Sequence, residues 1–202
     1  MMGGIMLTRV FRLMAVSLLA AALAGPAQGT GLNVFESDLA VLARTRLAEV
    51  ARSPRVIAAV REQNRQTAQY TQEQITELDE QWIREAESGS HGPLIAGVLD
   101  HEVSRYLARL QDDSQGLFTE IILMDAVGLN VAVSRVTTDY WQGDEDKWQK
   151  TFLAGPHSLH IGPLEEDLST RTVQSQVSLP VVDPQTGEPI GALTFGIDVE
   201  EL

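Results

Sequence analysis

Residues 171–182 read RTVQSQVSLPVV, and residues 189–199 read PIGALTFGIDV; this pair of segments decides the fold. Each is rich in β-branched and aromatic residues, and each alternates apolar with polar positions, the period of a half-buried strand. Between them lies Asp183-Pro184-Gln185-Thr186-Gly187, whose Pro and Gly mark a turn. The two segments are therefore expected to pair as a hairpin. Successive side chains of a strand point to opposite sides. One face then carries Val173, Val177, Leu179, Leu193, Phe195 and Ile197. The other carries Thr172, Gln174, Gln176, Ser178, Thr194, Gly196 and Asp198.

Working upstream, residues 118–125 (FTEIILMD) and 129–135 (LNVAVSR) read as a second hairpin, joined by Ala126-Val127-Gly128. A short strand at 157–161 brings the expected total to about five. Leu129, Val131 and Val133 extend the apolar face by the same alternation, and Asn130, Ala132 and Ser134 extend the polar one. Hairpin, insertion, hairpin predicts one antiparallel sheet with helices packed on it, an α+β fold. The long helices are expected against the apolar face. The polar face has no Lys or Glu in the three strands so read, so a cover is expected over it.

The segment 137–152, TTDYWQGDEDKWQKTF, is the candidate cover. Four aromatics crowd into it. Asp144 is expected to cap a short helix with Glu145 and Asp146 in its first turn, where carboxylates favour the helix dipole. Calcium coordination would want more widely spaced oxygen ligands. Trp148 and Phe152 then share one helix face and press on the sheet. Aromatic walls over a floor of hydroxyls, amides and one carboxylate describe a pocket for a small polar molecule. The ligand-binding candidates are Ser134, Arg135, Tyr140, Trp141, Trp148, Gln174, Gln176 and Asp198. Asp198 and the rings suit an amine; Arg135 or Lys150 suits a carboxylate.

The region before this sheet, 30–115, has helical periodicity. Asn33 with Glu36, and Thr71 with Gln74, have capping-box spacing. Ser53-Pro54 restarts a helix with proline at its first position. Apolar stripes through Leu39, Leu47, Val56, Val60, Ile75, Trp82, Ile95, Leu107 and Leu110 are core positions.

Residues 1–29 have Arg9 and Arg12 ahead of an apolar run at 13–23 and small residues up to Gly29. That is the pattern of a secretory signal peptide, cleaved after Ala24 or Gly29, and too short to span a bilayer. The alternative reading is a retained anchor. The leader holds two arginines and no acid, so its removal takes the net charge from −13 to −15. The expected product is an exported, periplasmic protein. Its negative charge argues against nucleic acid and anionic membranes as partners. With no cysteine, disulfides, thiolate metal sites and cysteine nucleophiles are excluded.

The runs MDAVGLNVAVS, TTDYWQGDEDKWQ and VSLPVVDPQTGEPIGALTFGIDV, in this order, resemble the Cache, or PDC, extracytoplasmic sensor domain. The similarity spans about 117–200, with the family's long N-terminal helices matched to 33–110. It implies a single PAS-like module and recognition of a small molecule on the sheet, which together with the residues above gives an amino acid, amine or organic acid as the expected ligand. Tyr140, Trp141 and Trp148 would be pocket residues and Asp198 a polar contact. It also implies a membrane receptor or kinase as signalling partner; the helical N-terminal half is then available to form a homodimer or to dock on that partner. The family commonly feeds an exit helix into the membrane; here the sequence reads Glu200-Glu201-Leu202 at that point, so a stand-alone sensor is expected.

Two other readings stay open. His157 and His160, with Glu165, Glu166 and Asp167, would bind a metal only if bends at Gly155-Pro156 and Gly162-Pro163 bring them together. A structural or protein-interaction module with its sheet face closed by packing is the other. No Gly-x-Ser-x-Gly, His-Glu-x-x-His or phosphate loop is present, so neither catalysis nor a cofactor is expected.

Overall fold

The computed structural model describes residues 33–89, 91–167 and 172–202. The expected leader, Arg171 and the side chain of Asp167 lie outside the described residues. No helix among the described residues is long and apolar enough to cross a membrane.

Helices come first: α1 (Glu36–Leu42), a π-helical turn (Ala43–Leu47), α2 (Ala48–Ala51), α3 (Pro54–Thr67), α4 (Gln72–Glu87), α5 (Pro93–Leu99) and α6 (Glu102–Asp112). The sheet is built from β1 (Phe118–Met124), β2 (Asn130–Val133), β3 (His160–Asp167), β4 (Thr172–Val182) and β5 (Pro189–Asp198), with α7 (Asp146–Gln149) between β2 and β3. The strands pair antiparallel throughout in the order β2-β1-β5-β4-β3. This is an α+β fold with a PAS-like sheet and long N-terminal helices.

Local chemistry explains the helix starts. Thr71 and Gln74 form the expected capping box, each side chain satisfying the other's amide. Pro54 opens α3 where no intrahelical bond is lost. The Asn33 and Glu36 box does not form. Asn33 Nδ2 instead donates to the Gly162 carbonyl and the Ser175 hydroxyl, both at 3.0 Å, tying the chain's entry to β3 and β4. Asp144 does not cap either; α7 begins at Asp146, one residue past Glu145.

Both sheet faces are covered. The first packs Val177, Val181, Leu193, Phe195 and Ile197 against α1–α3 and α6 through Leu39, Leu47, Val56, Val60 and Leu107. The second packs Ile122, Met124, Leu129, Val133 and Ala192 against α4, α5 and the 136–152 segment through Ile75, Trp82, Ile95, Tyr140 and Trp148. The sequence placed every long helix on the first face; α4 and α5 belong to the second. The alternation of β4 and β5 is as read. That of β2 is reversed at its end, because Ile122 pairs Val133 and Leu123 pairs Ala132, with a bulge before Met124 and Asn130. One extra residue in a strand swaps the faces of all the residues beyond it. Val133 therefore lies on the second face and Ala132 on the first, and Leu129, just ahead of the strand, packs in the second core as well, so of the three apolar residues only Val131 is on the face expected.

Arg61 clamps α3 to the β4–β5 turn. Its Nε donates to Asp183 Oδ2 at 2.9 Å and its Nη2 to Oδ1, which also accepts the Gln185 amide at 2.8 Å. The Arg61 hydrogen bond holds the Asp183 carboxyl below its ordinary value of 3.8. A carboxyl depressed by folding stabilises above its unfolded value, and that contribution disappears as pH falls through the folded one. In urea titrations between about pH 5 and about pH 2, the stability lead of the parent over Asp183→Asn should therefore shrink towards acid. A lead that stays constant or grows would remove the clamp's electrostatic role.

Candidate functional site

The second face is filled unevenly. Where β1 and β5 run through Met124 and Ala192, the aromatics of the cover pack down on the sheet. Trp148 Nε1 donates to the Asp125 carbonyl at 3.0 Å, and its ring stacks on Phe152 with centroids 5.0 Å apart. Tyr140 stacks on Trp82 at 5.3 Å, and burial pushes its phenol pKa up. Trp141 Nε1 donates to the Val127 carbonyl at 2.9 Å, beside Gly128, whose φ of 88° closes the β1–β2 turn.

Towards the other end of the same face the strands carry polar groups and the cover stands off, leaving a cleft of about 510 Å³. Its floor is Thr119 and Glu120 of β1 and Gln174 and Gln176 of β4. These are already wired to one another. Thr119 Oγ1 donates to Gln174 Oε1 at 2.7 Å, and Gln176 Nε2 donates to Glu120 Oε1 at 3.1 Å. That leaves Gln174 Nε2 and Gln176 Oε1 to face an occupant. Gly196 makes this floor feasible, since a Cβ there would lie 2.2 Å from Thr119 Oγ1.

The wall is the 135–147 segment. Arg135 donates to the Thr119 carbonyl at 3.4 Å. Lys147, only 6% exposed, pairs with Glu145 at 3.0 Å. Gln142 is 1% exposed; its Nε2 donates to the Asp139 carbonyl at 2.7 Å, which fixes the amide's orientation. Its Oε1 has no hydrogen-bond partner. Asn130 Oδ1 is also buried without a partner; a buried acceptor left unpaired costs about 1–3 kcal/mol, so a shift of the wall that opens Gln142 Oε1 to a donor in the cleft is favoured.

Helix α4 suspends the wall. Asp79 Oδ1 accepts the amides of Tyr140 and Trp141 at 2.8 and 2.9 Å, and Trp82 Nε1 donates to the Thr137 carbonyl at 2.8 Å. The two residues are three apart on the helix and so share a face.

Of the residues singled out in the sequence, Arg135, Gln174 and Gln176 line the cleft. Tyr140, Trp141 and Trp148 lie at the packed end and do not line it. Ser134 is drawn to the sheet edge, its hydroxyl accepting the Ile121 amide at 2.8 Å. Asp198 Oδ1 accepts the Glu200 amide at 3.0 Å, capping the turn after β5. Lys150 pairs with Asp146 at 2.6 Å, away from the cleft. Thr119, Glu120, Thr137, Thr138, Asp139, Gln142, Glu145 and Lys147 line it without having been singled out. Glu120 follows from the alternation of β1, but its neighbour Thr119 shares that face only because the strand is bulged between Phe118 and Glu120, and the loop residues carry no periodic signal.

His157 and His160 are not brought into a metal site, and among the described residues no three His, Asp or Glu are placed to hold an ion. Burial is the main cause that lowers the His160 pKa, with Lys150 adding to it.

No protein-family model matches the chain, and no curated protein does. Solved structures do. The ligand-binding domain of the Pseudomonas aeruginosa PAO1 amino acid chemoreceptor PctC, in complex with GABA, matches at 17% identity and TM-score 0.35, over 62% of this chain and 52% of that one. The sensor domain of the Vibrio cholerae histidine kinase DctB matches at 13% and 0.36, over 83% and 58%. The sensory domain of the Campylobacter jejuni chemoreceptor Tlp3 with isoleucine bound matches at 18% and 0.36, over 83% and 62%. The chain thus spans between half and two thirds of the length of these structures.

Proposed function

We propose that this chain is a single, PAS-like Cache-type sensor module of the periplasm that binds a small polar molecule in the cleft between β1, β4 and the 135–147 wall. The observation that carries this is the unpaired, buried Gln142 Oε1 at the wall of a 510 Å³ cleft. The cleft offers Lys147 and Arg135 to an anionic group, and Glu120 and the Gln142 carbonyl to a hydrogen-bond donor. Such a mixture suits an amino acid above a plain amine or organic acid. Ligand presentation to a membrane receptor or kinase and pairing of two chains through the N-terminal helices belong to the same proposal. The residue order shared with the Cache family supports it, as does the PAS-like strand order.

Thermal-shift screening against amino acids, amines and organic acids tests the reading. A ligand should raise the melting temperature of the parent, and Lys147→Met should weaken it at least about tenfold, or 1.4 kcal/mol. Gln142→Leu carries a sharper signature. It should stabilise the empty protein by about 1 kcal/mol, because an orphaned acceptor is removed, while lowering ligand affinity. The Asp139 carbonyl still accepts from Asn130 and Thr137 in that variant. A screen with no hit, combined with a Gln142→Leu protein no more stable than its parent, would refute the sensor reading and leave a structural module.

A further inference from the structure

A second concavity lies on the opposite side of the sheet, and nothing in the sensor reading uses it. The π-helical turn Ala43–Leu47 and α2 pass over the end of β4, and small side chains at the crossing leave a cavity of about 290 Å³. Ala43, Ala48 and Ala51 line one side, and Leu179, Pro180 and Val182 of β4 the other. At its rim stand Arg44, Arg52 and His157.

The two guanidinium groups are out of step with the rest of the molecule. The protein carries a formal charge of −13. Most of its described arginines are engaged: Arg61, Arg65 and Arg84 with carboxylates, Arg46 and Arg55 over the rings of Phe118 and Tyr106, Arg105 and Arg135 on carbonyls. Of the described arginines only Arg44, Arg52 and Arg109 have side chains without a partner, and two of these three border this one cavity. An acid-rich surface supplies carboxylates in excess, so leaving two arginines of one cavity unpaired is not forced by composition. The helix that carries Arg44 also departs from α geometry at that point; π-helical segments occur mostly as single turns and are frequent at sites of function.

An apolar floor with a cationic rim selects an amphipathic anion. The hydrocarbon would replace water against alanine, leucine and proline, and the carboxylate would take charge-assisted hydrogen bonds from arginine, whose planar fork matches it in bidentate fashion. We infer that this cavity binds an apolar monocarboxylate, head group at Arg44 and Arg52 and tail over Ala48 and Ala51. The site is independent of the cleft on the second face, so either reading can fail without the other.

Octanoate, octanol and acetate titrated into the full chain by calorimetry form the test. Octanoate should bind saturably with one site. Octanol lacks the charge and acetate the tail, and each should bind at least about tenfold more weakly. Arg44→Gln/Arg52→Gln, both at exposed positions, should weaken octanoate at least about tenfold, and Ala48→Leu, which fills the floor, should do the same. Unchanged octanoate affinity in the double variant, or octanol binding as well as octanoate, would overturn the inference.

Discussion

Replacing Trp82 with alanine lowers the free energy of unfolding by about 4 kcal/mol, within the range for emptying a buried tryptophan site. Trp82 is fully buried in the second core, in the same cluster as Ile95 and stacked on Tyr140. Three losses coincide there: the transferred area of the indole, the stack on Tyr140 and the bond from Nε1 to the Thr137 carbonyl. They are not additive, since one cavity accounts for most of them. Trp82→Phe separates them by keeping a ring and dropping the hydrogen bond, and should cost about half as much. Because Thr137 borders the cleft, both variants should also loosen its wall. Equilibrium denaturation measures the effect; a loss below about 1 kcal/mol for the alanine variant would show that the second core contributes little.

The second large effect is at Asp125, wholly buried in the β1–β2 turn. Its Oδ1 accepts the amides of Val127 and Leu129 at 3.0 and 2.9 Å, and its Oδ2 accepts from Gln63 and Thr67 of α3 at 3.1 and 2.9 Å. Alanine here strands two backbone amides in a sealed turn, at a cost of about 3 kcal/mol. Asparagine keeps an acceptor for both amides. Thr67 can turn its hydroxyl to accept, and Gln63 already reaches the Asn130 carbonyl at 3.2 Å. That variant should lose less than about 1 kcal/mol. A pH signature goes with it. Burial raises the Asp125 carboxyl above 3.8, outweighing the four hydrogen bonds that lower it. Folding then favours the protonated form, so this group's contribution is greatest below the unfolded value and declines as pH rises through the folded one. The stability of the parent relative to Asp125→Asn should accordingly fall between about pH 4 and about pH 7, opposite in sense to the Asp183 comparison. A difference that rises over that interval would contradict the burial argument.

Much of the fold could be read from alternation alone. The β4–β5 hairpin was legible because eleven and ten residues of regular period two leave only one assignment of faces. The end of β2 was not, because a bulge is a matter of pairing partner and leaves no mark on the strand's own pattern. The cover was located correctly as a segment, yet its aromatics serve packing. A ring over a sheet looks the same in sequence whether it encloses a ligand or completes a core, and what decided it was the arrival of Trp82 and Ile95 from α4 and α5. The residues that shape the cleft wall, Gln142 and Lys147 above all, are isolated polar positions in a loop. Their significance lies in burial, which local sequence does not encode. Asn33 illustrates the same limit, since a local capping partner was outcompeted by acceptors more than a hundred residues away.

The strand order has one more consequence, for how the chain reaches this state. The middle strand of the sheet, β5, is the last of the five in sequence, and its neighbour β1 is the first. Before β5 is in place the sheet exists only as two separate hairpins, β1–β2 and β3–β4, each with an open inner edge. Closing the gap between them joins residues at opposite ends of the sheet-forming half, a slow, non-local step. During synthesis both inner edges stay unpaired until the final strand arrives, and unpaired edges invite association with other chains. The burden of foldability therefore falls on a single segment, ALTFGI at 192–197, which acts as the keystone between two halves that cannot meet without it.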